Sequence, residues 1–153
     1  MDQPYVQSKY RLFVGVDSAY RTFTAAILVP GTRPKREAKA FEQTTQSFGT
    51  FQKRLQAYEI DPTATLVVME ATGNYWIALA MTLHQAGFAV SVMNPATAHF
   101  KASAQLKRAN NDALDAEILA ELAHVLVPTP WTPPPQIYHE LQQRLAQRAS
   151  LLE

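Results

Sequence analysis

Two short apolar runs in the middle of the chain constrain its fold most strongly. Residues 66–69 read Leu-Val-Val-Met and residues 88–93 read Phe-Ala-Val-Ser-Val-Met. Runs this short and this uniformly apolar are typical of strands buried on both faces. Residues 75–86 between them predict an apolar helix, with Asn74 as its cap and Gly87 as its stop. The chain therefore contains a β-α-β unit with parallel strands.

The N-terminal part of the chain predicts three further strands and a helix. Strands are expected at residues 10–16, 22–29 and 37–41, and apolar residues at helical spacing predict a helix over 47–58. A strand meander followed by β-α-β favours an α/β fold. We expect a mixed five-stranded sheet, with three antiparallel strands, then two parallel strands, and helices on both faces.

The C-terminal third predicts helices divided by a proline-rich stretch. Residues 96–106 are expected to be part helix and part loop, and a helix is expected from near Asn111 to about Val127. Five of the ten prolines fall within residues 128–135, which favours a semi-rigid linker. Trp131 lies within this linker and is expected to pack on the surface of the preceding domain. Another helix is expected from about residue 138 onward. The predicted organisation is a domain over 1–127, a linker over 128–135 and the start of a helical region over 136–153.

The composition excludes several classes of protein. The chain has 153 residues and a formal net charge of +1, which argues neither for nor against a nucleic-acid partner. It has no cysteine, so disulfides and thiolate zinc sites are excluded. No apolar run reaches the ~20 residues that span a bilayer, and residues 1–10 lack the apolar core of a signal peptide. A cytoplasmic protein without a membrane partner is expected.

Four acidic residues stand at positions where sites are often built. Asp17 and Glu70 follow predicted strands, and adjacent parallel strands would bring both to one edge of the sheet. Asp112 and Asp115 lie three residues apart at a predicted helix start, so they would share one face of that helix. For this second pair, local sequence also allows simple capping by Asn111 or Asp112.

A converging set of four carboxylates would repel one another unless a cation lay between them. Oxygen ligands without cysteine favour Mg²⁺ or Mn²⁺ over zinc. Two such ions about 3.5–4 Å apart form the arrangement used for phosphodiester chemistry. The acids therefore predict a metal-dependent site that acts on nucleic-acid phosphates.

Several motifs occur in the order and rough spacing of one family. They are Val-Gly-Val-Asp at 14–17, Met-Glu-Ala-Thr-Gly-Asn-Tyr at 69–75, Val-Met-Asn-Pro at 92–95 and Asn-Asp-Ala-Leu-Asp-Ala at 111–116. The chain resembles the N-terminal domain of the DEDD-type insertion-sequence transposases, which are recombinases guided by a bridge RNA. Their N-terminal domain is similar to the RuvC Holliday-junction resolvase, so the resemblance implies an RNase H-like fold.

The resemblance also implies residue roles. The four acids that name the family correspond to Asp17, Glu70, Asp112 and Asp115, which would bind Mg²⁺ (or Mn²⁺) near the scissile phosphate and carry catalysis. One position departs from the pattern, because many members have a lysine where this chain has Asn110.

The family's other features extend beyond this chain. Full-length members continue into a second domain that supplies a serine nucleophile, whereas this chain ends at Glu153, within the predicted linker helix. The fragment is therefore not expected to complete recombination alone. The implied partners are donor and target DNA, a guide RNA and further copies of the same protein, in the cytoplasm of a bacterium or archaeon.

A basic stretch precedes the last pair of acids. Lys101, Lys107 and Arg108 lie in a region without any acid, which favours contacts to phosphates, although a solvated helix face would show the same pattern. Lys107 and Arg108 could replace the contact that the family's lysine makes. His99, in the same stretch, is expected to be a structural or phosphate-contacting residue and not a metal ligand.

Two other functions fit parts of the sequence, and a third does not. A free-standing RuvC-like resolvase or nuclease would need no second domain. A non-catalytic module that binds nucleic acid or mediates oligomerisation would use the leucines of the last helix, Leu141, Leu145 and Leu152. The ATP-binding relatives of the same sheet need glycine-rich turns after their strands, and residues 17–20 contain no glycine.

Overall fold

A mixed five-stranded sheet forms the centre of the structure, a computed structural model that describes residues 8–31, 38–106, 115–136, 140 and 143. Its strands are β1 (Leu12–Ser18), β2 (Thr22–Leu28), β3 (Lys39–Glu42), β4 (Thr65–Glu70) and β5 (Ala89–Met93). They lie in the order β3-β2-β1-β4-β5. β2 is antiparallel to both β1 and β3, whereas β4 is parallel to β1 and to β5. The predicted mixed sheet is confirmed.

In the described part of the chain, the sheet is covered by four helices: α1 (Thr45–Gln56), α2 (Ile77–Gln85), α3 (Pro95–Leu106) and α4 (Ala116–Leu126). A short 3-10 turn, Pro62–Ala64, leads into β4. In the part of the chain that the structure describes, no helix is both long and apolar enough to cross a membrane.

The helices divide into two layers because side chains of a strand alternate between its faces. Leu12, Val14 and Val16 of β1 belong to one core, which α1 and α2 cover. Phe13 belongs to a second core on the opposite face, with buried residues of α3 and α4. Each large apolar side chain that is fully buried contributes about 1.5–3 kcal/mol. The central strands are therefore apolar on both sides, as their sequence predicted.

All four helices begin at residues other than those predicted, and α1 begins at Thr45, two residues earlier than expected. α3 is a complete helix from Pro95, not part loop, because proline fits the first helical position and Asn94 Oδ1 accepts a hydrogen bond of 2.9 Å from Ala96 N. α2 begins at Ile77, and Asn74 does not cap it. α4 begins at Ala116, about five residues later than predicted.

The segment after α4 returns to the sheet. Trp131 N donates a 2.6 Å hydrogen bond to Val90 O of the edge strand β5. The Trp131 ring packs edge-to-face on Trp76, with 5.7 Å between ring centroids. Trp131 thus packs on the domain, as predicted. Most of the helix predicted from residue 138 onward lies outside the described residues.

Candidate metal and nucleic-acid site

The site is built where α4 crosses β1. A methyl group at Gly15 would collide with Ala116 O and Ala120 N, both backbone atoms of α4. Only glycine therefore lets the helix backbone lie this close to the strand. The contact brings the first turn of α4 to the carboxyl end of β1.

Two of the predicted acids meet at this crossing. Asp17 lies within β1 and pairs with Thr24 of β2, so it does not follow the strand as predicted. It is two residues beyond Gly15 and shares the strand face that α4 covers. Asp115 is the N-cap of α4, and its Oδ1 accepts a 2.9 Å hydrogen bond from Ile118 N. Asp115 thus precedes the helix and does not lie in its first turn.

The pKa of Asp17 is raised above its ordinary value. Burial of the half-buried carboxyl is the main cause, and the negative charge of Asp115 is the second. Both effects disfavour the ionised form of Asp17. The structure therefore places two carboxylates close enough to repel each other, which is a local environment that a bound cation would stabilise.

Glu70 lies on the neighbouring strand. The parallel register pairs Val16 with Met69, so the next position along each strand is occupied by Asp17 and Glu70. Neighbouring strands are about 4.8 Å apart. Glu70 is the last residue of β4, is 6% exposed, and shares a strand face with Leu66 and Val68 of the second core.

His99 of α3 contacts this glutamate. His99 Nε2 lies 3.4 Å from Glu70 Oε1, a distance that allows an ion pair when the imidazole is protonated. The contact between Nε2 and Oε1 does not have the geometry of a hydrogen bond. His99 was expected to be structural or to contact a phosphate, and its contact with a predicted site residue was missed.

A buried glutamine ties the loops of the site together. Gln43 is 4% exposed, and its Nε2 donates to Ala19 O and to Tyr75 O, each at 3.2 Å. Ala19 follows β1 and Tyr75 lies between β4 and α2. Gln43 thus holds together the two loops that follow β1 and β4. No local sequence pattern around Gln43 predicted this role. We refer to the carboxyl ends of these two strands, which carry Asp17 and Glu70, as the acidic strand ends.

The described residues do not assemble the whole predicted set. Asp112, Lys107 and Arg108 lie outside them. Within the described ranges, no three His, Asp or Glu side chains come close enough to hold a metal ion as a group. The structure therefore brings together Asp17 and Asp115 and places Glu70 on the adjoining strand. Lys101 lies on α3 and is partly exposed.

The carboxyl ends of the strands of an α/β sheet are a common place for a ligand site. The sequence matches the DEDD transposases of the IS110 type, described as "Transposase", over residues 14–153. The chain belongs to this family. Its fold class, a mixed five-stranded α/β sheet with helices on both faces, is seen in the strand order and directions described above.

Two curated relatives are pilin gene-inverting proteins, from Moraxella bovis and Moraxella lacunata. Each is 28% identical over 138 residues, which is 90% of this chain. The chain spans 42% of the length of these relatives.

Two solved structures of Thermus thermophilus RuvC are also similar. For one of them, the similar region covers 82% of this chain and 85% of the RuvC chain, with a TM-score of 0.43 and 12% sequence identity. The other, in complex with a Holliday junction substrate, covers 86% and 88% at a TM-score of 0.41, also with 12% identity.

Proposed function

We propose that this chain is the metal-binding catalytic domain of a DNA recombinase that cleaves and rejoins phosphodiesters. The observation that carries the proposal is the pair formed by Asp17 and Asp115, whose mutual repulsion contributes to the raised pKa of Asp17. Carboxylates that repel each other favour a cation over a proton when a divalent ion is available. Membership of the transposase family supports DNA as the substrate.

The residues that would hold the metal are Asp17, Glu70, Asp112 and Asp115, and Mg²⁺ or Mn²⁺ suits their oxygen ligands. When bound, the metal would activate the attacking oxygen and stabilise charge on the phosphate. The chain's own groups fix the carboxylates. The cap bond to Ile118 N occupies Oδ1 of Asp115 and leaves Oδ2 for a cation. His99 limits the movement of Glu70.

The nucleic-acid partners follow from the same proposal. Lys101, Lys107 and Arg108 would contact backbone phosphates. The relatives are named for inverting a gene, so the reaction proposed here is a DNA rearrangement of the same class. A guide RNA, a serine nucleophile from a second domain and assembly of several copies complete the proposed recombinase, which would act in the bacterial or archaeal cytoplasm.

Metal binding can be tested directly by titration of the chain with Mn²⁺ or Mg²⁺, followed by calorimetry and by melting temperature. Wild-type protein should release or absorb heat on binding and melt at a higher temperature with the metal. Asp17→Asn and Asp115→Asn should bind the metal at least about tenfold more weakly, because each removes one charged ligand from the site.

Asp61→Asn is the matched control. Asp61 also caps a short helical segment, since its Oδ1 accepts a bond of 2.9 Å from Thr63 N. It precedes β4, so it lies at the opposite end of that strand from Glu70. Asp61→Asn should therefore keep the metal response. Equal responses in all three variants, or no response in the wild type, would contradict the proposed metal site.

A further inference from the structure

Two exposed tyrosines stand beside the acidic strand ends. Tyr20 is 67% exposed and follows β1, and Tyr75 is 42% exposed and follows β4. Their rings contact each other edge-to-face, with centroids 5.6 Å apart and planes at 70°. We refer to Tyr20 and Tyr75 as the tyrosine platform. Tyr20 is three residues from Asp17, and Tyr75 is five residues from Glu70.

The supports of the platform are fixed. The buried amide of Gln43 donates to Ala19 O, next to Tyr20, and to Tyr75 O itself. Two loops from separate strands are thereby joined by one side chain. Rings on supports of this kind lose little conformational freedom when a ligand binds, which favours binding.

The surface next to the platform offers ring area and little net charge. A cavity of about 440 Å³ adjoins Tyr20 and is lined by Tyr20, Arg21, Thr22, Glu42, Gln43 and Thr44. Its lining has one cation, Arg21, and one carboxylate, Glu42, so charge alone does not draw a phosphate there. The Arg21 guanidinium carbon lies 5.7 Å from the centre of the Tyr20 ring. A flat ligand could stack on this ring and on the guanidinium.

We propose that the tyrosine platform binds an unpaired base of the DNA strand whose phosphate lies at the acidic strand ends. The inference rests on the proposed function, because it needs DNA at those carboxylates. A base within a duplex has both faces covered by its neighbours, so only an unstacked base can present a face to the rings. Stacking on exposed aromatic rings is tolerant of sequence. The platform would thus favour melted DNA next to the cleavage position.

The test uses a fluorescent single-stranded DNA of about 12 nucleotides, within the site sizes of single-strand binders. Binding to the full chain is measured in EDTA by anisotropy, with 2-aminopurine as a reporter of stacking. Tyr20→Ala and Tyr75→Ala should weaken binding about 5- to 100-fold and leave the probe base unquenched. Tyr20→Phe and Tyr75→Phe should bind as the wild type does.

Tyr58→Ala is the matched control, because Tyr58 is also 42% exposed but follows α1. It should leave binding unchanged, and no variant should alter binding of the same sequence as a duplex. Unchanged single-strand binding by both alanine variants, or no binding by the wild type, would overturn the platform. A greater dependence on the tyrosines for RNA of the same sequence would also overturn it. Because EDTA removes metal, these results are independent of the metal titration that tests the proposed function.

Discussion

Asp17 lowers the stability of the folded domain in a pH-dependent way when metal is absent. Its raised pKa means that the folded state holds the proton more tightly than the unfolded chain. Ionised Asp17 therefore destabilises the fold above that pKa, and the penalty fades as pH falls through it. In EDTA at neutral pH, Asp17→Asn should raise the melting temperature by about 1–3 °C. In acid, below the ordinary pKa of aspartate, wild type and variant should melt together.

Asp61 provides a control of opposite sign. Hydrogen bonds from the Thr63 side chain and backbone lower the pKa of this exposed carboxyl. Its stabilising contribution is present above the unfolded pKa and is lost as pH falls through the lowered folded pKa. Asp61→Asn should therefore lower the melting temperature at neutral pH. A lower melting temperature for Asp17→Asn under the same conditions would show that the ionised carboxylate of Asp17 does not destabilise the fold.

Gly15 is the residue on which the position of α4 depends most. Gly15→Ala would place a methyl group against Ala116 O and Ala120 N, and backbone atoms of a packed helix cannot move aside as a flexible side chain can. Unfolding in urea should show a loss of at least about 1–3 kcal/mol.

Gly49→Ala is the matched comparison for Gly15→Ala. Gly49 lies within α1, and a methyl group there would meet nothing within 4 Å. This substitution should stabilise the protein by about 0.5–1 kcal/mol, because alanine favours the helix. Similar effects for the two substitutions would mean that α4 lies farther from β1 than the structure places it.

The strands were predictable at the level of elements because each carries its own local signal. A strand buried on both faces is apolar throughout, and the predicted parallel arrangement of β1 and β4 agrees with the observed register. Asp17 and Glu70 could therefore be predicted as neighbours. The start of α4 could not be predicted, because Asn111, Asp112 and Asp115 are all residues that cap helices well. The contact with Gly15, distant in sequence, favours Asp115.

Gln43 and His99 show why part of the site is invisible in sequence. The carbonyls that Gln43 binds are 24 and 32 residues away, so no local pattern indicates their proximity. His99 lies between apolar positions of α3, and its contact with Glu70 depends on how α3 crosses the sheet. Gln43 offered only a polar residue beside a strand end, and His99 offered only a lone histidine within a helix.

The two loops of the site should loosen together when Gln43 loses its amide. Gln43→Leu would leave Ala19 O and Tyr75 O without their buried donor, which costs about 1–3 kcal/mol. Hydrogen exchange should rise in residues 19–21 and 72–76 and stay unchanged in α4. Gln56→Ala, an exposed position at the end of α1, should change neither property. Faster exchange in only one of the two loops would contradict the conclusion that Gln43 stabilises both of them.

At the scale of the whole molecule, the proline-rich segment is attached to the domain at Trp131. The 2.6 Å bond from Trp131 N to Val90 O satisfies an edge group of β5, and the indole packs against Trp76 and against His84, whose ring is 6.1 Å away. Covering an edge strand protects it from pairing with other chains. The predicted boundary between domain and linker at residues 127 and 128 stays a prediction, but these contacts argue that the segment contributes to domain stability.

Trp131→Ala should therefore destabilise the domain by about 1–3 kcal/mol, because a large, partly buried ring and its aromatic contact are lost. Trp131→Phe should lose less, since a ring remains against Trp76. The chain has two tryptophans, so the tryptophan fluorescence of either variant comes from Trp76 alone. Trp76 is 9% exposed, and its emission should shift to the red in Trp131→Ala as water reaches the indole. An unchanged melting temperature together with an unchanged Trp76 spectrum would mean that residues 128–135 act as a tether and not as part of the folded domain.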